Sequence, residues 1–328
     1  MQWSGKGSCI SSEETMIARL SGIQGLSVCE NVPLRDLTRF GLGGPARFLA
    51  DASTEDALDA ALTELIKARF PHTLIGGGSN LIASDRGFPG VVLRYTAKDI
   101  QADGPLLIVD AGAVLQDLVN FTIEQGLKGL ETMTGIPGWV GGAVYGNAGA
   151  YGHSINERIE WLRFFDGQGF REIGNADCDF RYRESVFKRQ KDWIVVKAAL
   201  RLSPSDPALL RSTADDILKV RNEKYPPTMQ CAGSIFKNLI LAELPGSLRD
   251  RIPEKVIREG KVPSAYFLQE VGAKGMVNGG IRVADYHANL IYNSGGGTAE
   301  ELRQIIETLK LNVKNTYGLE LEEEVQYL

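Results

Sequence analysis

An α+β fold in more than one domain is what the sequence predicts, and three observations carry that expectation. Strand-like and helix-like stretches alternate along the chain with glycine-rich loops between them, the pattern of mixed α/β units. Two of those loops, at residues 76–80 and 126–152, hold far more glycine than a simple connection needs. Pro226-Pro227 stops a long helix and marks the clearest domain boundary. At 328 residues the chain is long enough for two or three domains with cores of their own.

The first dozen or so residues read as a flexible tail, and regular pattern begins near Leu34. Ser53-Thr54-Glu55-Asp56 supplies a side-chain cap and first-turn acids, so a helix starts there. Leu58, Leu62, Leu65 and Ile66 recur at helical spacing through Lys67 and give that helix one buried stripe. A strand, Thr73-Leu74-Ile75, then runs into Gly76-Gly77-Gly78-Ser79-Asn80. Residues without Cβ let successive N–H groups turn toward one point and let an anion approach the main chain. A dinucleotide fingerprint would need a third glycine where Leu81 stands, and a helix behind it. Instead, residues 85–90 are turn-forming and lead into the strand Val91-Val92-Leu93. The segment is therefore a phosphate cradle between two strands or, as the blander alternative, a glycine-rich hairpin.

A strand at 106–109 precedes a helix over 115–125, closed by Gly126. Residues 126–152 are too rich in glycine for a stable helix or a packed strand interior. They are also too apolar for a disordered linker. Gly141, Gly142, Ala143, Ala148 and Gly149 leave room for something large and flat against the backbone, and close packing of two strands is the competing reading. Residues 159–165 and 193–200 read as strands, with a hairpin turn at Gly167-Gln168-Gly169 leading from the first into 170–173. A helix spans 207–224. Further on, Thr298-Ala299-Glu300-Glu301 is a capping box. The helix it opens carries the stripe Leu302, Ile305, Ile306, Leu309 and Val313 and stops at Gly318. Residues 319–328 close the pattern as a short strand, with no internal repeat anywhere.

Composition excludes several classes. Apolar content of 43% and charged content of 23% are those of an ordinary globular protein. A net charge of −5 offers no cationic excess to displace counterions from nucleic acid. No apolar run reaches the roughly 20 residues of a membrane span. The first residues lack a secretory apolar region, so the expected location is cytoplasmic. Cys9, Cys29, Cys178 and Cys231 show no C-x-x-C spacing and have only three histidines beside them, so no metal site is expected.

Four segments then fall in one order: IGGGSNLIASDRGFPGVVL, GIPGWVGGAVYGNAGAYG, FRYRESVFK and AGSIFKN, followed by HANLIYN and LEEEV. Together they resemble the UDP-N-acetylenolpyruvoylglucosamine reductases (UDP-N-acetylmuramate dehydrogenases) of bacterial cell-wall synthesis, from about Leu37 onward. The resemblance implies a two-part FAD-binding domain of the vanillyl-alcohol-oxidase type and a smaller α/β substrate domain. The expected division is an extension at 1–33, FAD-binding subdomains at 34–96 and 97–224, and a substrate domain at 225–328 whose last strand returns to the FAD site. It implies non-covalent FAD, NADPH as reductant and a UDP-sugar substrate, and a monomer or weak dimer is expected.

For the residues, the resemblance implies that Gly76, Gly77, Gly78, Ser79 and Asn80 hold the FAD pyrophosphate. Thr134, Gly135, Pro137, Gly141, Gly142, Ala143, Asn147, Ala148 and Gly149 would line the flavin. Ser234 matches the family's proton donor, Arg183 its catalytic arginine and Glu324 its catalytic glutamate, with Glu323 left open as the alternative. Tyr182, Lys224, Lys237, Asn238 and His287 are the expected substrate-binding residues. The chemistry is consistent with that set. Hydride addition to an enolpyruvyl CH₂ leaves negative charge on the next carbon and its carboxylate, which a guanidinium can grip and an acid must then protonate. A serine alone is a poor acid and needs a neighbour.

About fifty residues separate Arg183 from Ser234, too few for the extra tyrosine-bearing loop of one family form, so the chain resembles the shorter form. Residues 239–263 look like an insertion without assigned role. Trp139 stands where the family has a small residue. Two rivals stay open at this point. One is another FAD oxidase of the same fold, with His72 or His153 as covalent anchor, and the other is a nucleotide binder without turnover.

Overall fold

The computed structural model describes residues 12–328, and the expected flexible tail lies outside them apart from Ser12 onward, where α1 (Ser12–Ser21) begins. The first sheet is built around an apolar run. In β5 (Phe88–Tyr95), Val91, Val92 and Leu93 are fully buried, as expected of a strand covered on both faces. It lies parallel to β2 (Pro45–Ala52) on one side and to β3 (His72–Leu74) on the other. The crossover between those strands is α2 (Glu55–Lys67), capped by Thr54, whose side chain accepts from the Ala57 N–H. Leu58, Leu62 and Leu65 are buried as the spacing predicts, but Ile66 is 49% exposed, one position off the stripe. β1 (Leu26–Pro33) lies in the stretch expected to be an extension and pairs antiparallel with β2 as the outer strand.

The second sheet is antiparallel throughout. β6 (Ile100–Asp103) and β7 (Leu106–Asp110) form one hairpin, and β8 (Ile159–Phe165) and β9 (Phe170–Gly174) the other. β10 (Ile194–Arg201) joins them, giving the order β9-β8-β10-β7-β6. α3 (Leu115–Glu124) and α5 (Pro207–Lys224) form as the sequence predicts. One core runs from Met16 to Ala214 and joins both sheets.

Two expectations need correction. The second glycine-rich loop does contain a helix, α4 (Val140–Tyr145). Tertiary contacts impose it: the Val140 and Gly141 N–H groups donate to Ala113 O and Ala111 O. Val140, Ala143 and Val144 are buried, and a Cβ on Gly141 would lie 3.0 Å from that of Ala111. The expected strand over 319–328 is also shorter, only β16 (Gln326–Tyr327). The residues before it bond elsewhere, with Lys237 N donating to Glu322 O at 2.9 Å and Glu324 N to Ile235 O at 2.7 Å.

The remainder forms a separate core from Cys231 to Val325, joined by Phe40, Leu42 and Ile82. β11 (Leu239–Ile240) pairs with β12 (Lys261–Val262), so the stretch between them is an excursion that returns to its starting point. After α6 (Ser264–Glu270), three short strands form one sheet: β13 (Val277–Asn278), β14 (Ile281–Val283) and β15 (Ile291–Asn293). They lead to α7 (Ala299–Tyr317), whose capping box and Gly318 stop, at φ +67°, are both present. Asp85, from the loop after the cradle, accepts from the Ala299 and Glu300 N–H groups at 2.9 and 3.1 Å. That places a carboxylate on the positive end of α7 and ties the two cores together. β16 completes the join by pairing parallel with β4 (Leu81–Ile82), the strand that leaves the cradle.

Candidate active site

The cradle is held open by its neighbours. Among the described residues, none of the N–H groups from Gly76 to Asn80 has an acceptor. A Cβ on Gly76 would meet nothing within 4 Å, so open space lies there. Gly78 sits at φ +62° with its hydrogen against Leu37 O, where no side chain fits. Gly77 faces the Trp139 ring, which a Cβ would approach to 2.9 Å, and a Cβ on Gly138 would collide with the Ser79 side chain. The two glycine-rich loops therefore rest on each other. Trp139 forms this junction beneath the Arg94 guanidinium, 5.6 Å from its ring centre.

On the second loop, Thr134 is 2% exposed and its hydroxyl has no partner among the described residues. Gly135 N–H donates to Gln116 at 2.7 Å, and Arg221 donates to Gly135 O at 3.3 Å. Gly142, like Gly76, has open space where a Cβ would be, and Pro137 lies between the two segments. Asn147, buried at φ +43°, donates to Arg181 O at 2.8 Å and so fixes the tight turn that carries Arg183. Ala148 and Gly149 follow, and Arg183 donates to Gly149 O at 2.8 Å. Free N–H groups, space where side chains are missing and an orphaned buried hydroxyl are what a large anionic dinucleotide would use.

Arg183 is itself unusual. Its φ of +58° costs a non-glycine residue about 1–2 kcal/mol. The backbone holds it there so that Nε donates to Glu324 Oε1 at 2.7 Å across 141 residues of sequence. Glu324 and Glu323 point to opposite sides of an extended segment. Glu323 bonds Lys310 at 2.7 Å and also Tyr327, so Glu324 is the glutamate that faces Arg183. Ser234 stands on the segment that pairs with Glu324, one residue before Ile235, and its Oγ lies 3.3 Å from the Tyr225 hydroxyl.

The other expected residues divide. Tyr182 accepts from the Asn238 N–H at 3.3 Å, with Arg183 and Lys261 over its ring at 5.3 and 5.0 Å. Burial pushes its phenol pKa up. A cleft of about 300 Å³ opens beside it, lined by Asn147, Asn156, Arg181, Arg183 and Lys261 among others. Lys237 has its ammonium engaged by Glu184 at 2.6 Å and by Glu322. Lys224 lies with its ammonium 5.0 Å above the Tyr225 ring. His287 accepts from the Asn289 N–H, and burial, then the charge of Lys224, lowers its pKa to about 4. Neither candidate for a covalent anchor is poised as one: His72 bonds Phe70 O and His153 pairs with Glu157, each at 2.9 Å. Sequence reasoning missed Tyr225, Arg221, Glu184 and Lys261, although the first two flank Lys224 and Glu184 follows Arg183 directly.

Residues 46–172 match the FAD binding domain family. With the cradle and the two-part fold, this defines a flavoprotein with a two-part FAD-binding domain. Residues 225–328 match the UDP-N-acetylenolpyruvoylglucosamine reductase C-terminal domain. A reductase of that name from Solibacter usitatus is 55% identical over 310 residues, 94% of this chain and 99% of the relative. One from Rubrobacter xylanophilus is 35% identical, covering 90% of this chain and 93% of the relative. The crystal structure of the reductase from Thermus caldophilus superposes with a TM-score of 0.70 at 27% identity, over 92% of this chain and 98% of that one. The chain belongs to the UDP-N-acetylenolpyruvoylglucosamine reductase family. It is an FAD-dependent oxidoreductase that uses NADPH, acts on the enolpyruvyl UDP-sugar and serves peptidoglycan synthesis. Among the described residues no helix is long and apolar enough to cross a membrane.

Proposed function

We propose that Arg183, Glu324 and Ser234 carry the reaction, and that the 2.7 Å bond between Arg183 and Glu324 is the observation that supports it best. FAD, when bound, would supply the two-electron chemistry that links NADPH to the substrate. Gly76 to Asn80 would hold its pyrophosphate, and Thr134 to Gly149 would lie along the flavin, with the free hydroxyl of Thr134 as one donor. Arg183, positioned by Gly149 O and Glu324, grips the substrate carboxylate as charge builds on it. Glu324 orients that guanidinium. Ser234 gives its proton to the carbon beside the carboxylate.

Tyr182, Asn238 and Lys224 surround the UDP-sugar in this reading, with the basic lining of the adjacent cleft matched to its diphosphate. The division at 225 follows the two separate cores, with the segment 319–328 crossing back to the first. The span between Arg183 and Ser234 is filled by a short helix at Val186–Arg189, β10, a two-residue strand and α5, which supports the shorter family form. A cytoplasmic monomer or weak dimer fits the same reading.

Purified protein is expected to be yellow, to bleach with NADPH and to recover its colour anaerobically only when the enolpyruvyl UDP-sugar is added. Ser234→Ala should bleach normally and recover at least 100-fold more slowly, within the range a positioned general acid contributes. Recovery at the wild-type rate would remove Ser234 from the mechanism.

A further inference from the structure

An aliphatic hydroxyl has little tendency to give up a proton, and no carboxylic acid or ammonium bonds Ser234 among the described residues. Its one side-chain partner is the phenol of Tyr225, 3.3 Å away. Tyr225 follows the end of α5, whose Arg221 O accepts its N–H at 2.6 Å. Two cations face its ring: Lys224 Nζ at 5.0 Å and the Arg221 guanidinium at 5.9 Å from the centre. Tyr286 donates to Lys224 O at 2.9 Å and so fixes the main chain next to Tyr225. No carboxylate pairs with Lys224 or Arg221 among the described residues, and Arg221 Nε is buried without a partner. Two cations therefore lie against the ring of the phenol that reaches Ser234.

We infer that Tyr225 is a positioning and proton-relay residue, donating its hydroxyl to Ser234 Oγ so that the alkoxide left by proton transfer to the substrate is stabilised and refilled. The step balances. The Ser234 O–H bond breaks and a C–H bond forms at the carbon beside the carboxylate, using the electron pair that the hydride left there. In the same step the Tyr225 O–H bond breaks and its proton reforms the Ser234 O–H bond, and water afterwards returns a proton to the phenolate. A phenol, with an ordinary pKa of about 10, is a far better proton source for an alkoxide than water is.

The inference rests on Ser234 as proton donor, and the test separates the two. Tyr225→Phe keeps the ring beneath both cations and removes only the hydroxyl. Single-turnover recovery of flavin colour with the enolpyruvyl UDP-sugar should slow by about 10- to 100-fold, while bleaching by NADPH stays within about twofold of wild type. In mixtures of H₂O and D₂O, the wild-type recovery rate should curve with deuterium fraction because two protons move, and the Tyr225→Phe rate should fall linearly. Recovery at the wild-type rate, a curve that persists in the variant, or equal slowing of bleaching and recovery would each overturn the relay. If Ser234→Ala is slow and Tyr225→Phe is fast, only the relay fails; if Ser234→Ala is fast, both fail.

Discussion

Replacing Lys237 by methionine removes an ammonium that joins three distant segments. Its Nζ lies 2.6 Å from Glu184 and also bonds Glu322, on a side chain only 8% exposed. The two halves of that cluster differ in value. Glu322 is 69% exposed, so water replaces the lost cation at a cost of about 0–1 kcal/mol. Glu184 is 30% exposed and keeps Lys188 at 3.2 Å, so its loss falls well below the roughly 3–5 kcal/mol of an orphaned buried charge. Together the expected destabilisation is about 2 kcal/mol.

The pH dependence has a definite sign. Burial works to lower the Lys237 pKa, but its bonds to Glu184 and Glu322 outweigh this and leave it raised. Burial likewise works to raise the Glu184 pKa, and Lys237 and Lys188 outweigh it and leave it lowered. A raised lysine stabilises fully below its unfolded pKa near 10.5 and loses that as pH rises through the folded value. A lowered carboxylate stabilises fully above its unfolded pKa near 4.5 and loses that as pH falls through the folded value. The deficit of the variant should therefore be full from about pH 5 to about pH 10 and shrink outside that window. Urea unfolding of Lys237→Met, Glu184→Gln and the double variant would measure the coupling, expected at about 1–2 kcal/mol. A coupling under about 0.3 kcal/mol, or a rise in KM with unchanged stability, would refute this reasoning and return Lys237 to substrate binding.

Gly76→Ala should leave the urea midpoint of the flavin-free protein unchanged, since its Cβ meets nothing, yet weaken FAD binding by at least about tenfold, by about 1.4 kcal/mol or more. Gly78→Ala should lower both, because its φ of +62° and the nearby Leu37 carbonyl leave no place for Cβ; equal effects of the two substitutions on FAD would contradict the proposed cradle. For His287, the unfolded chain takes up a proton near pH 6.5 while the folded protein waits until about 4, so stability falls as pH drops between those values. His287→Gln should flatten that slope, and an imidazole NMR titration centred near 6.5 in the folded protein would disprove the burial argument.

What was legible in the sequence is what depends on neighbours in the chain. The cap of α2, the capping box and left-handed stop of α7, and the strand–glycine–strand cradle all rest on local side-chain and backbone preferences. The helix α4 was not legible, because Val140 and Gly141 adopt it in response to carbonyls about thirty residues earlier. Nor were the partners of Lys237, which come from Glu184 and Glu322 on opposite sides of it in sequence. Family resemblance named Arg183, Ser234 and Glu324, but only the fold shows that Glu324 faces Arg183 while Glu323 faces Lys310. Tyr225 carries no motif, and its proximity to Ser234 follows from the turn at Pro226-Pro227 that folds one segment back on the other.

The bonds between the cradle and β16 also set an order of events in the making of the protein. Asn80 donates its side chain to Glu324 O at 2.9 Å and accepts the Gln326 N–H at 2.9 Å, contacts that span 244 residues in the first case. A ribosome delivers the glycines early and their supporting strand only after almost all the intervening chain. Until then β4 has an unpaired edge, and closing so long a loop is slow. With FAD held by the cradle as proposed, its capture belongs to a late stage of folding, and a nascent chain arrested before Glu324 is expected to remain colourless.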